Sequence, residues 1–210
     1  MVGLFLDRHR FYPTYLFLIL NEQRAKLTAE NYDIPQYYYT DLEEFLCKCP
    51  IEAVLVCTPT STLYKVAIIC LRAGKHVYVQ KTFASRLKEA QKLIAKARRR
   101  NAVLVDSPEQ MVNPTLQAAR RMIIEGAIGP VYWTLCVTDH PGPQLEEGRL
   151  GEDHVTKIDP SWEFKPQACP IYNMGVYSLH SITGILGPIK RLTAFSGRHV
   201  HVRERKFPSR

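Results

Sequence analysis

From residue 35 onward the chain alternates short apolar runs with amphipathic stretches. Residues 37–39 are a short strand candidate, and Thr40-Asp41-Leu42-Glu43 has the form of a capping box, which predicts a helix start. Residues 51–57 are apolar apart from Glu52, as in a strand covered on both faces, and Thr58-Pro59 breaks that run. Tyr64, Ala67, Ile68 and Leu71 fall at i, i+3, i+4 and i+7, a helical stripe, and Gly74 stands where a helix C-terminus favours glycine. Residues 76–80 predict the next strand. Leu87, Ala90, Ile94 and Ala97 mark another amphipathic helix, and residues 102–105 a further strand. Strands and helices alternating with short links imply a parallel sheet with right-handed crossovers. Such sheets bind ligands beyond the carboxyl ends of their strands. Two segments stand at that edge, Thr58-Pro59-Thr60 and Gln80-Lys81-Thr82.

The pattern changes near Asp106. Asn113 can cap a helix whose first residue is Pro114 and which ends near Gly126. Residues 131–138 read as a long strand, and 139–160 as a loop rich in glycine, proline and charge. Residues 171–186 read as a helix closed by Gly187-Pro188, and 189–195 as another strand. Long strands beside helices predict an α+β second domain. The 210 residues therefore divide into an α/β domain over 1–106 and a second domain over 107–210, without internal repeats.

Near the start, the apolar run 11–20 is too short to span a bilayer and is interrupted by Pro13. Arg8 and Arg10 precede it, but Asn21-Glu22-Gln23-Arg24 offers no small-residue cleavage site, so secretion is not expected. Within this run, residues 15–20 have the length and composition of a buried strand. Lys and Arg number 28 against 20 Asp and Glu, a formal charge of +8. Much of the excess sits in Lys96, Arg98, Arg99 and Arg100 and in Arg198, Arg203, Arg205, Lys206 and Arg210. No nucleic-acid-binding motif accompanies these clusters, which read as a solvated helix end and a solvated tail. Neither nucleic acid nor membrane is expected as a partner. Six cysteines lie at 47, 49, 57, 70, 136 and 169. Cys57 and Cys70 sit in apolar runs, as buried thiols do, and Cys47-x-Cys49 lacks the spacing and second ligand pair of a zinc site. The expectation is a reduced, cytoplasmic protein without structural metal.

Two constellations could carry chemistry. Lys81 follows a strand at the ligand edge; it suits either a solvated turn or an acid–base role, since a lysine beside an oxidised nicotinamide ring has its charged form disfavoured. On the 171–186 helix, Asn173, Tyr177 and His180 fall at i, i+4 and i+7, beside a mostly apolar stripe of Val176, Leu179, Thr183 and Leu186. That polar stripe reads either as an exposed face or as a pocket lining, with a tyrosine and a histidine able to exchange protons.

Cys57-Thr58-Pro59-Thr60, Ala73-Gly74-Lys75-His76-Val77, Gln80-Lys81-Thr82, Glu125-Gly126-Ala127-Ile128-Gly129 and Asn173-Met174-Gly175-Val176-Tyr177, in this order and spacing, resemble the Gfo/Idh/MocA oxidoreductases over roughly residues 22–197. The resemblance implies an incomplete Rossmann-type parallel sheet followed by part of an α+β domain with a mostly antiparallel sheet. It implies an NAD- or NADP-dependent enzyme acting on a sugar, polyol or related alcohol or carbonyl, with room for a homo-oligomer. Carried over, Thr58 and Pro59 contact the cofactor, and Lys81, preceded by Gln80, lies near the nicotinamide. Asp7 corresponds to the acid on the adenosine ribose, and Asn173 and Tyr177 to the two second-domain catalytic positions; His180 joins them as a candidate from the same helix face.

The chain departs from the family pattern in several places. Gln80 and Thr82 replace Glu and Pro, and Asn173 replaces Asp, so an amide stands where the family has an acid. Gly3 is the only glycine before residue 74, so the glycine-rich phosphate loop is missing and weak cofactor binding is expected. In the order 3-2-1-4-5-6, residues 1–6, 37–39, 51–57, 76–80 and 102–105 supply the second to sixth strands, and 8–20 resembles an insertion. With the first strand missing, direct pairing of the second and fourth is expected, the run 15–20 being the other candidate for the gap. The simplest account is a gene product truncated at both ends or diverged. The alternative to an active enzyme is an inactive relative or fragment that binds a ligand or a partner subunit.

Overall fold

The computed structural model describes residues 17–19, 22–31, 38–140, 142, 163–164, 171–197 and 202. The chain splits into two compact units, Met1–Ser107 with Gly148–Ala168, and Pro108–Glu147 with Cys169–Arg210. Among the described residues no helix is long and apolar enough to cross a membrane.

The first unit is α/β. Strand β1 (Phe17–Leu18), helix α1 (Glu22–Asn31) and strand β2 (Tyr38–Tyr39) form a parallel β-α-β unit, with Phe17 opposite Tyr38 and Leu18 opposite Tyr39. The Ile19 amide extends the pairing by donating to the Tyr39 carbonyl at 2.9 Å. The run read as part of an insertion is thus a strand, and it lies beside the third-strand candidate. The pairing expected between the second strand (1–6) and the fourth falls on residues outside the described ones, and among the described residues β1 pairs with β2. The connection through α1 explains this, because a parallel partner needs a crossover of about a dozen residues or more, usually a helix. Helix α1 buries Ala25, Thr28 and Ala29, an i, i+3, i+4 stripe of small residues. The strand candidate 1–6 and Asp7 lie outside the described residues.

Helix α2 (Leu42–Lys48) follows, capped by Asp41. The Asp41 carboxylate accepts the Glu44 amide at 2.8 Å, so the capping pair sits one residue later than the Thr40 register predicts. Strands β3 (Ala53–Val56), β4 (His76–Gln80) and β5 (Leu104–Ser107) make a parallel sheet in the order β3-β4-β5. Helix α3 (Thr60–Arg72) joins β3 to β4, and helix α4 (Leu87–Arg100) joins β4 to β5, the two helices packing on each other. Gly74 ends α3 at φ +78, where its amide bonds Leu71 and the Lys75 amide bonds Cys70. The core gathers Phe45, Val54, Val56, Leu63, Leu71, Val77, Val79 and Leu93, all at 2% exposure or less. Burying each such side chain contributes about 1.5–3 kcal/mol.

Helix α4 corrects its predicted stripe. Leu93 and Ala97 face the core, while Leu87 is 75% exposed and Ile94 41%. Strand β5 starts two residues later than predicted, because Asn101 caps α4 in the left-handed region and the Ala102 amide still bonds Ala97.

The cap makes a testable point. Asp41→Ala is expected to lower stability by about 1 kcal/mol, and Thr40→Ala by much less, in urea denaturation midpoints.

In the second unit, Asn113 caps helix α5 (Pro114–Ile124) by accepting the Thr115 amide at 2.8 Å. A π turn (Ile171–Gly175) leads into helix α6 (Val176–Leu186), which packs on α5 and on the 3-10 turn Gln110–Val112. The strands predicted over 131–138 and 189–195 are not formed. Neither run has a hydrogen-bonded neighbour strand among the described residues, and their apolar side chains stand in solvent, Tyr132 at 88% and Phe195 at 97% exposure. Composition alone does not make a strand; the ladder does.

Candidate functional site

The edge at the carboxyl ends of β3, β4 and β5 is built by strand register. Val56 pairs with Val79, and Val79 with Asp106. Thr58 and Lys81, each two residues beyond its paired valine, therefore emerge at one level on adjacent strands. Pro59 then caps α3, where the Thr62 amide and hydroxyl both donate to the Pro59 carbonyl at 2.8 Å. The first turn of α3 holds no acidic residue, so the positive end of the helix is not neutralised from within its own sequence.

Two details distinguish this edge. The Thr58 hydroxyl oxygen is buried and has no hydrogen-bond partner. Such an orphan costs about 1–3 kcal/mol unless a ligand or water supplies the bond. Gln80 instead has its side-chain carbonyl fully engaged, accepting the Lys81 amide at 2.8 Å and the Ser107 hydroxyl at 3.2 Å. It ties the end of β4 to the end of β5 and fixes the backbone from which Lys81 departs. Ser107, 4% exposed, is the part of this edge that sequence reading missed. Only the Gln80–Ser107 register pair would have signalled it.

The strongly shifted ionisable groups belong to packing elsewhere. Burial pushes the Cys70 thiol up to about 12, and Tyr39 is raised to about 12, first through its hydrogen bond with Cys49.

In the second unit, Asn173 lies in the π turn, and Tyr177 and His180 on α6. The three do not share a continuous α-helix, and π turns of this kind recur at functional sites. All three are half-buried, so the stripe is not an ordinary exposed face. His180 is held by the Gln110 amide, and Ser181 by Gln110 Oε1 and the Tyr177 carbonyl.

Residues 5–107 match the oxidoreductase family with an NAD-binding Rossmann fold, known as Gfo/Idh/MocA. Through that segment the chain is similar to the Gfo/Idh/MocA oxidoreductases. The chain is 33% identical over 89 residues to 4-carboxy-2-hydroxymuconate-6-semialdehyde dehydrogenase of Sphingobium sp., covering 42% of this chain and 28% of that protein. It is 24% identical over 179 residues to trans-1,2-dihydrobenzene-1,2-diol dehydrogenase of Bos taurus, covering 84% and 49%. Among solved structures, an inositol dehydrogenase homolog from Azotobacter vinelandii, complexed with NADH and myo-inositol, superposes with a TM-score of 0.50 at 27% identity. That superposition covers 53% of this chain and 31% of the other. The chain thus spans half or less of the length of these relatives. The Gfo/Idh/MocA match takes in Thr58, Pro59, Gln80 and Lys81 and ends where β5 ends. Asn173, Tyr177 and His180 lie beyond it.

Proposed function

We propose that the β3–β4 edge is the nicotinamide-cofactor site of an NAD(P)-dependent oxidoreductase acting on a sugar, polyol or related alcohol or carbonyl. The observation that carries this reading is the orphan hydroxyl of Thr58, level with Lys81 on the neighbouring strand, at the edge where open parallel sheets take their ligands. NAD or NADP would be held by Thr58, Pro59, Gln80 and Lys81, with Asp7 toward the adenosine ribose. On this reading 1–106 is a partial dinucleotide-binding domain and 107–210 a partial substrate domain. The activities named for the relatives, a diol dehydrogenase and an inositol dehydrogenase homolog bound to NADH, support the hydroxylated substrate class. A reduced cytoplasmic setting, with neither nucleic acid nor membrane as partner, fits the same reading.

When bound, a nicotinamide cofactor supplies the hydride acceptor or donor. The chain's own residues have narrower tasks. Thr58 offers a hydroxyl that folding leaves unpaired. Gln80 holds the strand ends together, so that Lys81 leaves β4 in a fixed direction. Lys81 holds or moves a proton at this edge; in the second unit Tyr177 is the group able to exchange a proton, with Asn173 and His180 binding oxygen beside it. Asn173 favours a second reading, an inactive relative that binds a ligand or partner subunit, because an amide cannot serve as acid or base. Under the first reading Asn173→Asp leaves turnover equal or higher; under the second, no variant at this position turns over.

Thr58→Val tests the site. Removing a buried unpaired hydroxyl is expected to leave the free chain as stable or about 1 kcal/mol more stable, while weakening NADH binding by up to about ten-fold. Equal NADH binding by parent and variant would place the cofactor elsewhere.

A further inference from the structure

The Pro108–Val112 stretch is tied to α6 through two long-range hydrogen bonds of Gln110. The main-chain amide of Gln110 donates to Nδ1 of His180 at 3.3 Å. The Gln110 side chain is held at both ends: Nε2 donates to the Pro108 carbonyl at 3.3 Å, and Oε1 accepts from the Ser181 hydroxyl at 3.4 Å. The same hydroxyl shares its one proton with the Tyr177 carbonyl at 2.9 Å, the shorter of its two bonds. Glu109, at φ +58, turns the chain so that Gln110 opens the 3-10 turn. One residue thus grips two consecutive positions of α6, next to the proposed proton-handling tyrosine.

A ring nitrogen that accepts an amide proton carries none of its own, so the proton of the neutral imidazole sits on the other nitrogen. We propose that Gln110 is a positioning residue that fixes His180 as the Nε2–H tautomer, so that His180 presents a hydrogen-bond donor to a substrate oxygen. Neither ring nitrogen is then free to take the substrate proton. Asn173 has no acid–base capacity. Among the three α6-side candidates the proton therefore falls to Tyr177. This division of labour rests on the oxidoreductase reading, but the tautomer itself does not.

The test is a long-range 1H–15N correlation spectrum of the full chain, labelled with 15N-histidine and recorded at mildly alkaline pH without cofactor. His180→Gln assigns the signal among the seven histidines. The expected spectrum shows a single Nε2–H pattern for His180. Gln110→Ala, which keeps the amide, is expected to retain it, and Gln110→Pro, which deletes the amide, to mix the tautomers. An Nδ1–H or averaged pattern in the parent chain overturns the proposal, and that spectrum decides even if Gln110→Pro fails to fold. Absence of NADH binding would count against the oxidoreductase reading while leaving the tautomer result intact.

Discussion

Titrated with NADH or NADPH, this chain will bind at millimolar concentrations or weaker. In the family pattern a glycine-rich turn and the helix behind it hold the pyrophosphate through main-chain amides. The 210 residues contain no such turn, since Gly3 is the only glycine before Gly74. Its loss removes roughly three charge-assisted hydrogen bonds of about 1.5–3 kcal/mol each. Together these are worth roughly 4–9 kcal/mol, a thousand-fold or more in affinity, which turns a micromolar site into a millimolar one. The edge at Thr58 and the N-terminus of α3 can still meet the nicotinamide half, so binding is weakened and not abolished. Nicotinamide fluorescence measures this directly. Micromolar affinity for either cofactor would mean that other residues replace the turn.

The second large effect concerns Lys81. Lys81→Ala is expected to lower any NAD(P)-linked turnover by about a hundred-fold or more, the usual size of a positioned acid–base group. Lys81→Arg is expected to recover little, because a guanidinium cannot give up its proton. The fold should tolerate both changes, because the Gln80 bonds to the Lys81 amide and to Ser107 do not involve the Lys81 side chain. Variants that melt with the parent yet turn over as fast would remove Lys81 from the mechanism.

The parallel sheet was legible because its signals are local. The spacing of Tyr64, Ala67, Ile68 and Leu71 with Gly74 behind them marks α3, and residues 76–80 read as β4, as the structure has them. Failures arise where a competing interaction decides. Leu87 and Ile94 have the right spacing for a core stripe, but Leu93 and Ala97 face α3 and the sheet, and one helix can turn only one stripe inward. Helix α1 hides its inner face because Ala25, Thr28 and Ala29 are small and carry little hydrophobic contrast. The run 15–20 has strand composition, yet only its pairing with Tyr38–Tyr39 says which strand it is. Residues 131–138 and 189–195 have strand-like composition and lack the ladder that would make them strands.

The candidate site divides along the same line. Thr58, Pro59 and Lys81 could be read from position, since each follows a strand. Ser107 and Gln110 could not, because each matters through long-range hydrogen bonds, Ser107 to Gln80 and Gln110 to His180 and Ser181.

An amide-resolved NMR titration of the 15N-labelled chain with several millimolar NADH reaches the β3–β4 edge most directly. Saturable shifts at Thr58, Thr60, Ser61, Gln80 and Lys81, reduced in Thr58→Val, are the expected result. Shifts confined to other parts of the chain, or none at any of these amides, would contradict a cofactor site at this edge.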